Sequence, residues 1–317
     1  MISCTEFIPL YSEFFTYLDK KGGHDEVMRF WIYLSDTSIG DKTNPNSLAS
    51  FMEKYGFDGT WKYWEHTLTE EAADCIRIYD PVKKRITTHM RHCPSKGMLL
   101  QLKHLTPYYD YCGHCKILYS RVLKNYGIKM YDDHSGIDHA ECSGWLCREG
   151  DEIEPSDYEV GPGKLVHDMT ADDNKYLHRD FHLIGDNALR YCGENYGDNG
   201  VVEFMQMFTR DHYGPIIADV KERGMIAIKE KIEKIYDIEE ASEVLHTELS
   251  DEELVVTVDK SPVIEYMHSL GQKPSKYYIE QTRTLYGTLA DECDLGFTLC
   301  YYHEDGAAKF RFFKRGF

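Results

Sequence analysis

Nowhere in the 317 residues does an apolar run approach the roughly 20 residues that a bilayer crossing needs, which speaks against a helical membrane protein. Basic charge is scarce as well: 36 Lys and Arg against 54 Asp and Glu leave a formal charge of −18. A surface so acidic repels phosphate, so neither nucleic acid nor an anionic membrane is expected as a partner. The opening stretch MISCTEFIPLYSEFF carries acids where a secretory signal has its basic region, so the expectation is a soluble cytoplasmic protein. The GxGxxG and P-loop fingerprints are missing, which argues against a doubly wound nucleotide-binding sheet. What is left is a globular composition, 42% hydrophobic and 28% charged, in a chain long enough for two domains.

Cysteine is the residue present in excess. There are ten, and without an export signal they are expected to be reduced thiols. Seven precede residue 150 (Cys4, Cys75, Cys93, Cys112, Cys115, Cys142, Cys147), and only Cys192, Cys293 and Cys300 follow it. Between the two regions, residues 149–174 hold nine acids, one lysine and a GPG turn, the pattern of an acidic linker.

The flanking segments resemble each other. Tyr17, Gly23, Val27 and Phe30 match Tyr191, Gly197, Val201 and Phe204 at an offset of 174. Gly56 and Pro94 match Gly224 and Pro262 at 168, and Pro107, Tyr111 and Leu118-Tyr119 match Pro274, Tyr278 and Leu285-Tyr286 at 167. The ordered series predicts two divergent copies of one domain, 1–148 and 175–317. Helical periodicity over 178–195, 199–212, 214–236, 111–125 and 276–291 combines with short alternating strands at 75–79, 254–258, 141–147 and 309–315. The fold class expected is α+β, each copy mainly helical with a small antiparallel sheet.

In the first copy, Cys112-Gly113-His114-Cys115 brings two thiols to a helix start, where the N-terminus should lower their pKa. Cys93 and Cys142 complete a tetrahedral set, with His134 and His139 as competing ligands, and zinc and iron both suit it. Buried reduced cysteines are the plain alternative. A thioredoxin-like dithiol is disfavoured, because no buried strand precedes the motif. In the second copy YLHRDFH sets His178 and His182 four residues apart around Asp180, so that on a helix both imidazoles share a face as metal ligands or as a base with its orienting partner. His212 ends the next predicted helix. Tyr278, Glu280, Thr282 and Arg283 follow within two helical turns, where Glu280 and Arg283 form either an i,i+3 ion pair or a base beside a carboxylate-binding guanidinium. Cys93, Cys112 and Cys115 correspond to Ser261, Ile279 and Thr282, so one copy has lost its thiols.

With YLHRDFH, MFTRDHYGPII, DKSPVIEYMHSLGQKPSKYYIEQTRTLY and the terminal aromatic strand, residues 175–317 resemble the L-2-amino-thiazoline-4-carboxylic acid hydrolase family, bacterial proteins named for opening a thiazoline ring. The first half, with HCPSKG and YYDYCGHCKILY, is similar to cysteine-bearing relatives of that family. The resemblance implies hydrolysis of a small cyclic amidine or thiazoline carboxylate, a carbon–nitrogen bond other than a peptide. On residue chemistry, His178, His182 and His212 are candidates for base or metal ligand, and Asp180 or Glu280 for orienting water. Arg283, Tyr278 and Thr282 would contact the substrate. The competing readings are a metal-binding redox or sensor protein using Cys93, Cys112 and Cys115, and a non-catalytic duplicated binding module.

Overall fold

The computed structural model describes residues 1–152 and 160–316. A 3-10 turn, Cys4–Glu6, opens the chain, its ends satisfied reciprocally by Ser3 and Glu6. Helices α1 (Phe7–Gly22) and α2 (His24–Leu34) are separated by Gly23, whose φ of 69° and ψ of −175° only a residue without Cβ adopts cheaply. Then come α3 (Leu48–Tyr55), α4 (Asp58–Glu70), β1 (Asp74–Asp80), β2 (Arg85–His92), α5 (Pro94–Gln101), α6 (Gly113–Lys124), β3 (Ile128–Asp133), β4 (Cys142–Arg148) and β5 (Leu165–Met169). The remainder comprises α7 (Phe181–His212), α8 (Gly214–Arg223), α9 (Met225–Ile238), β6 (Leu245–Leu249), β7 (Glu253–Val258), α10 (Pro262–Ser269), α11 (Arg283–Glu292), β8 (Leu295–Tyr302) and β9 (Ala308–Lys314). Helix accounts for 53% of the described residues and strand for 19%, so the architecture is mixed and mainly helical, with two small antiparallel sheets.

The chain packs as two compact units. Unit I is Met1–Tyr17, His104–Thr106 and Phe181–Phe317; unit II is Leu18–Lys103 and Pro107–Asp180. Sequence patterning places boundaries at 148/149 and 174/175, whereas packing divides the chain inside α1 and again just before α7. The sheet of unit II runs β3-β4-β2-β1-β5 and that of unit I runs β6-β7-β9-β8. Within each, the first four strands lie in the order first, second, fourth, third. All neighbours pair antiparallel.

Local chemistry explains where the elements differ from expectation. The stretch 214–236 is two helices, because Gly224 at φ 75° ends α8 and starts α9. Predicted helices 178–195 and 199–212 are one element that kinks at Gly197, with φ 71° and ψ −177°. The segment from 276 begins as a 3-10 turn, Tyr278–Gln281, before α11. Residues 254–258 fall on β7, the second strand of its sheet, so they are not the counterpart of β1, which is a first strand. Inside the acidic stretch 149–174, β5 pairs with β1 from Cys75↔Met169 to Tyr79↔Leu165; residues 153–159 of that stretch lie outside the described residues.

Alternation builds the cores. On β9, Phe310 and Phe312 point inward and Tyr286 of α11 stacks on Phe310 at 5.1 Å, each buried ring contributing about 1.5–3 kcal/mol. Phe14 meets Phe204 edge-on at 4.8 Å in the same unit. In unit II, Trp64 packs edge-on against Tyr119 at 5.1 Å, and the Arg77 guanidinium lies 4.1 Å over Trp61. No helix among the described residues is long and apolar enough to cross a membrane.

Candidate functional site

Helix α4 ends at Glu70 with Glu71 as its cap, and its last carbonyls need donors. The backbone N–H of Leu177 supplies one, donating to the Glu70 carbonyl at 2.8 Å. That bond docks the chain before α7 onto the end of α4 and sets His178 beside the two glutamates. His178 Nδ1 lies 2.7 Å from Glu70 Oε2, and only 4% of His178 is exposed. Burial opposes charge on this imidazole, but Glu70, Glu71 and Asp180 together outweigh it and raise its pKa. Burial also raises the pKa of Glu71, whose carboxylate neighbours His178 and accepts from the Ser95 hydroxyl at 3.4 Å.

Across Glu71 are the thiols. Cys93 caps α5, its sulfur accepting from Lys96 N at 3.5 Å; Cys112 caps α6, Cys115 sits in the first turn of that helix, and Cys142 begins β4. Their fields overlap: Cys115 feels Cys112, Cys93 and Cys142, and both Cys93 and Cys115 feel Glu71. The helix N-terminus does not win, contrary to the sequence expectation. Burial pushes Cys93 up to about 12 and Cys142 to about 11, and raises Cys112 and Cys115. Among the described residues, no three of these sulfurs lie within 4.8 Å of one another, against the ~3.8 Å edge of a four-thiolate zinc tetrahedron. His139 is exposed on the turn Ile137–His139, whereas His114 Nε2 lies 3.4 Å from Cys115 Sγ. A groove of about 510 Å³, lined by His89, Arg91, Asp133, Glu141 and Ser143, runs beside Cys142.

The other sequence-selected residues are divided. Asp180 belongs to unit II with His178, while His182, His212, Tyr278, Glu280, Thr282 and Arg283 belong to unit I. His178 and His182 do not share a helical face, because α7 starts only at Phe181. His182 Nε2 instead lies 3.1 Å from Glu239 Oε2, both side chains 1% exposed. His212 Nε2 is 3.6 Å from Glu6 Oε1, to which Lys231 Nζ comes within 2.8 Å. Glu280 is buried and bonded to Arg283 and to the Thr284 hydroxyl, so Arg283 is neutralised by its own helix turn. Thr282 Oγ1 accepts from the Met1 amine at 3.2 Å, and the buried Tyr278 hydroxyl has no hydrogen-bond partner among the described residues.

Sequence reasoning missed His66, Glu70, Glu71 and Tyr63. The one available signal was the i,i+4 spacing of His66 and Glu70 on α4. Burial raises the Tyr63 phenol, which neighbours Tyr119, Asp180, Glu71 and Cys115 and joins the imidazole side to the thiol side. The whole set lies within unit II and joins an ionisable carboxyl, an imidazole and thiols in one buried neighbourhood, enough for proton transfer at a bound small molecule. Comparison with family models, with curated proteins and with solved structures finds no match for this chain.

Proposed function

We propose that the chain is a small-molecule hydrolase of a bacterial cytoplasm, acting on a cyclic amidine or thiazoline carboxylate, with its reacting centre in unit II. The supporting observation is the position of Glu71, which neighbours both His178 and the Cys93 and Cys115 thiols. A carboxyl whose pKa is raised by burial is suited to take a proton from water as the oxygen attacks the amidine carbon. The cationic His178 stabilises the charge that develops, then gives its proton to the ring sulfur as the carbon–sulfur bond breaks and the ring opens. Lys96, near Cys112, takes the place that Arg283 was expected to fill for the substrate carboxylate.

Ring opening of 2-aminothiazoline-4-carboxylate, followed chromatographically, tests this. Glu71→Gln should lower kcat/KM about a hundredfold or more in a folded protein, and Glu280→Gln should leave it within a few-fold. A folded wild-type protein that opens no cyclic amidine would sink the proposal.

A second reading has its own support. Four half-buried thiols whose pKa values burial raises form a set that zinc or iron would convert to thiolates if the sulfurs drew closer on binding. On that reading the chain is a redox or sensor protein. Anaerobically purified protein would carry about one equivalent of metal that Cys112→Ser/Cys115→Ser loses.

We also infer that the two halves descend from one domain. Gly23 and Gly197 share φ near 70° and ψ near 180°; Cys93 and Ser261 cap α5 and α10 ahead of prolines; and both sheets share one strand order. The thiol-bearing half keeps the chemistry and the other serves as scaffold.

A further inference from the structure

We propose that His66, Glu70 and Asp180 form a site for a single divalent cation of the manganese, iron or zinc type, distinct from the thiol set. One nitrogen of His66 and one oxygen from each carboxylate lie within 4.8 Å of one another. His66 Nδ1 is 3.4 Å from Glu70 Oε1, and His66 Nε2 is 3.9 Å from Asp180 Oδ2. The two contacts use different ring nitrogens, of which one can bind an ion; Nε2 is the candidate, its 3.9 Å to Asp180 Oδ2 being too long for a hydrogen bond. His66 Nε2 is a buried atom without a hydrogen-bond partner among the described residues, a condition that buried polar atoms rarely keep.

The outer contacts are those of a metal site. Glu70 Oε2 is engaged by His178 Nδ1 at 2.7 Å and Asp180 Oδ1 by Asn46 Nδ2 at 3.4 Å, which leaves Glu70 Oε1 and Asp180 Oδ2 on the side of His66. Phe51 stacks on the His66 ring at 6.2 Å and 20° and holds its plane. One imidazole and two carboxylates without sulfur favour borderline and hard cations, and three donors leave positions for water.

Unit I supplies an internal comparison. At the offset of 174, Asp180 corresponds to Glu6, whose charge is met by Lys231 at 2.8 Å. At 168, Lys231 corresponds to Tyr63. Where one unit carries its own ammonium ion, the other carries a tyrosine beside Asp180, and a bound cation would restore the balance.

This inference deepens the hydrolase reading by assigning a source of activated water, and it rests on that reading for its catalytic meaning. The test reads the metal alone. Mn²⁺ is titrated into the full chain while the paramagnetic resonance signal of the free ion is followed. One bound equivalent is expected, weakened at least tenfold in His66→Ala and in the nearly isosteric Asp180→Asn, and unchanged in Cys112→Ser/Cys115→Ser. Co²⁺ in the same site should show visible bands without thiolate charge transfer. Absence of Mn²⁺ and Co²⁺ binding by folded protein, affinity unaltered in Asp180→Asn, or a thiolate band would overturn the site. Binding without ring opening would sink only the hydrolase; ring opening without binding would sink only the metal.

Discussion

Arg77 Nη1 lies 2.6 Å from Glu65 Oε2, with the guanidinium fully buried and Nη2 donating to the Trp61 carbonyl at 2.7 Å. Burial lowers the pKa of this arginine to about 10 despite the carboxylate beside it. Arg77→Ala should destabilise the protein by about 2–4 kcal/mol, mainly because it opens a void under Trp61, while Glu65 keeps His167 at 2.8 Å as a partner. Arg77→Met should cost less, since Glu65 is 39% exposed and regains water while the thioether refills the space. Urea unfolding of the two variants measures the difference; equal losses would show that the ion pair, not the packing, dominates.

Acid should act in part through Glu6. Burial opposes its ionisation, yet Lys231 and His212 hold its pKa well below the usual carboxylate value of 4.5. A depressed pKa means that the stabilisation is complete above pH 4.5 and drains away as pH falls through the folded value. The unfolding midpoint of the wild type should therefore fall steeply below pH 4.5. In Glu6→Gln it should start lower by about 1–3 kcal/mol and depend less on pH in that window.

Thiol labelling should run in the order of burial. With Cys93 at about 12, its thiolate fraction at pH 8 is on the order of a thousandfold below that of a free thiol. Cys300 is exposed and should be alkylated first, the half-buried Cys93 and Cys115 more slowly, and the buried Cys4, Cys75, Cys147 and Cys192 last, as read by mass spectrometry of timed digests. Labelling of Cys93 as fast as Cys300 would contradict the burial.

The two kink glycines should respond alike. A Cβ at Gly23 or Gly197 meets nothing within 4 Å, so alanine there costs only backbone strain, about 1–3 kcal/mol. Similar losses of thermal stability in Gly23→Ala and Gly197→Ala, adding in the double variant, would support a common origin for the two helix pairs.

Much of the fold can be read from residue spacing. The amphipathic helices and the closing strands rest on local patterns that tertiary packing did not override, whereas the breaks at Gly197 and Gly224 were not anticipated. The thiol neighbourhood was legible because the Cys112-Gly113-His114-Cys115 spacing is distinctive and most of the cysteines lie before residue 150. The carboxylates were not. Glu70 and Glu71 sit at a helix end in a chain that is 28% charged, where acids are usually solvated. Only the docking of residue 178 onto a carboxylate 108 positions earlier makes them a site. β5 escaped because five residues of modest alternation lie within an acidic stretch. His178 and His182 misled because their spacing is helical while the backbone at His178 is not.

The discontinuity of unit I has a consequence for synthesis on the ribosome. The amide of Cys4 reaches the Glu239 carboxylate across 235 residues of intervening chain, whereas everything in unit II lies between positions 18 and 180. Unit II can therefore close while translation continues, but the apolar first helix, carrying Phe7, Leu10, Phe14 and Phe15, must wait for partners not yet made. For that interval the nascent chain carries an exposed apolar helix, the kind of segment that holdase chaperones bind.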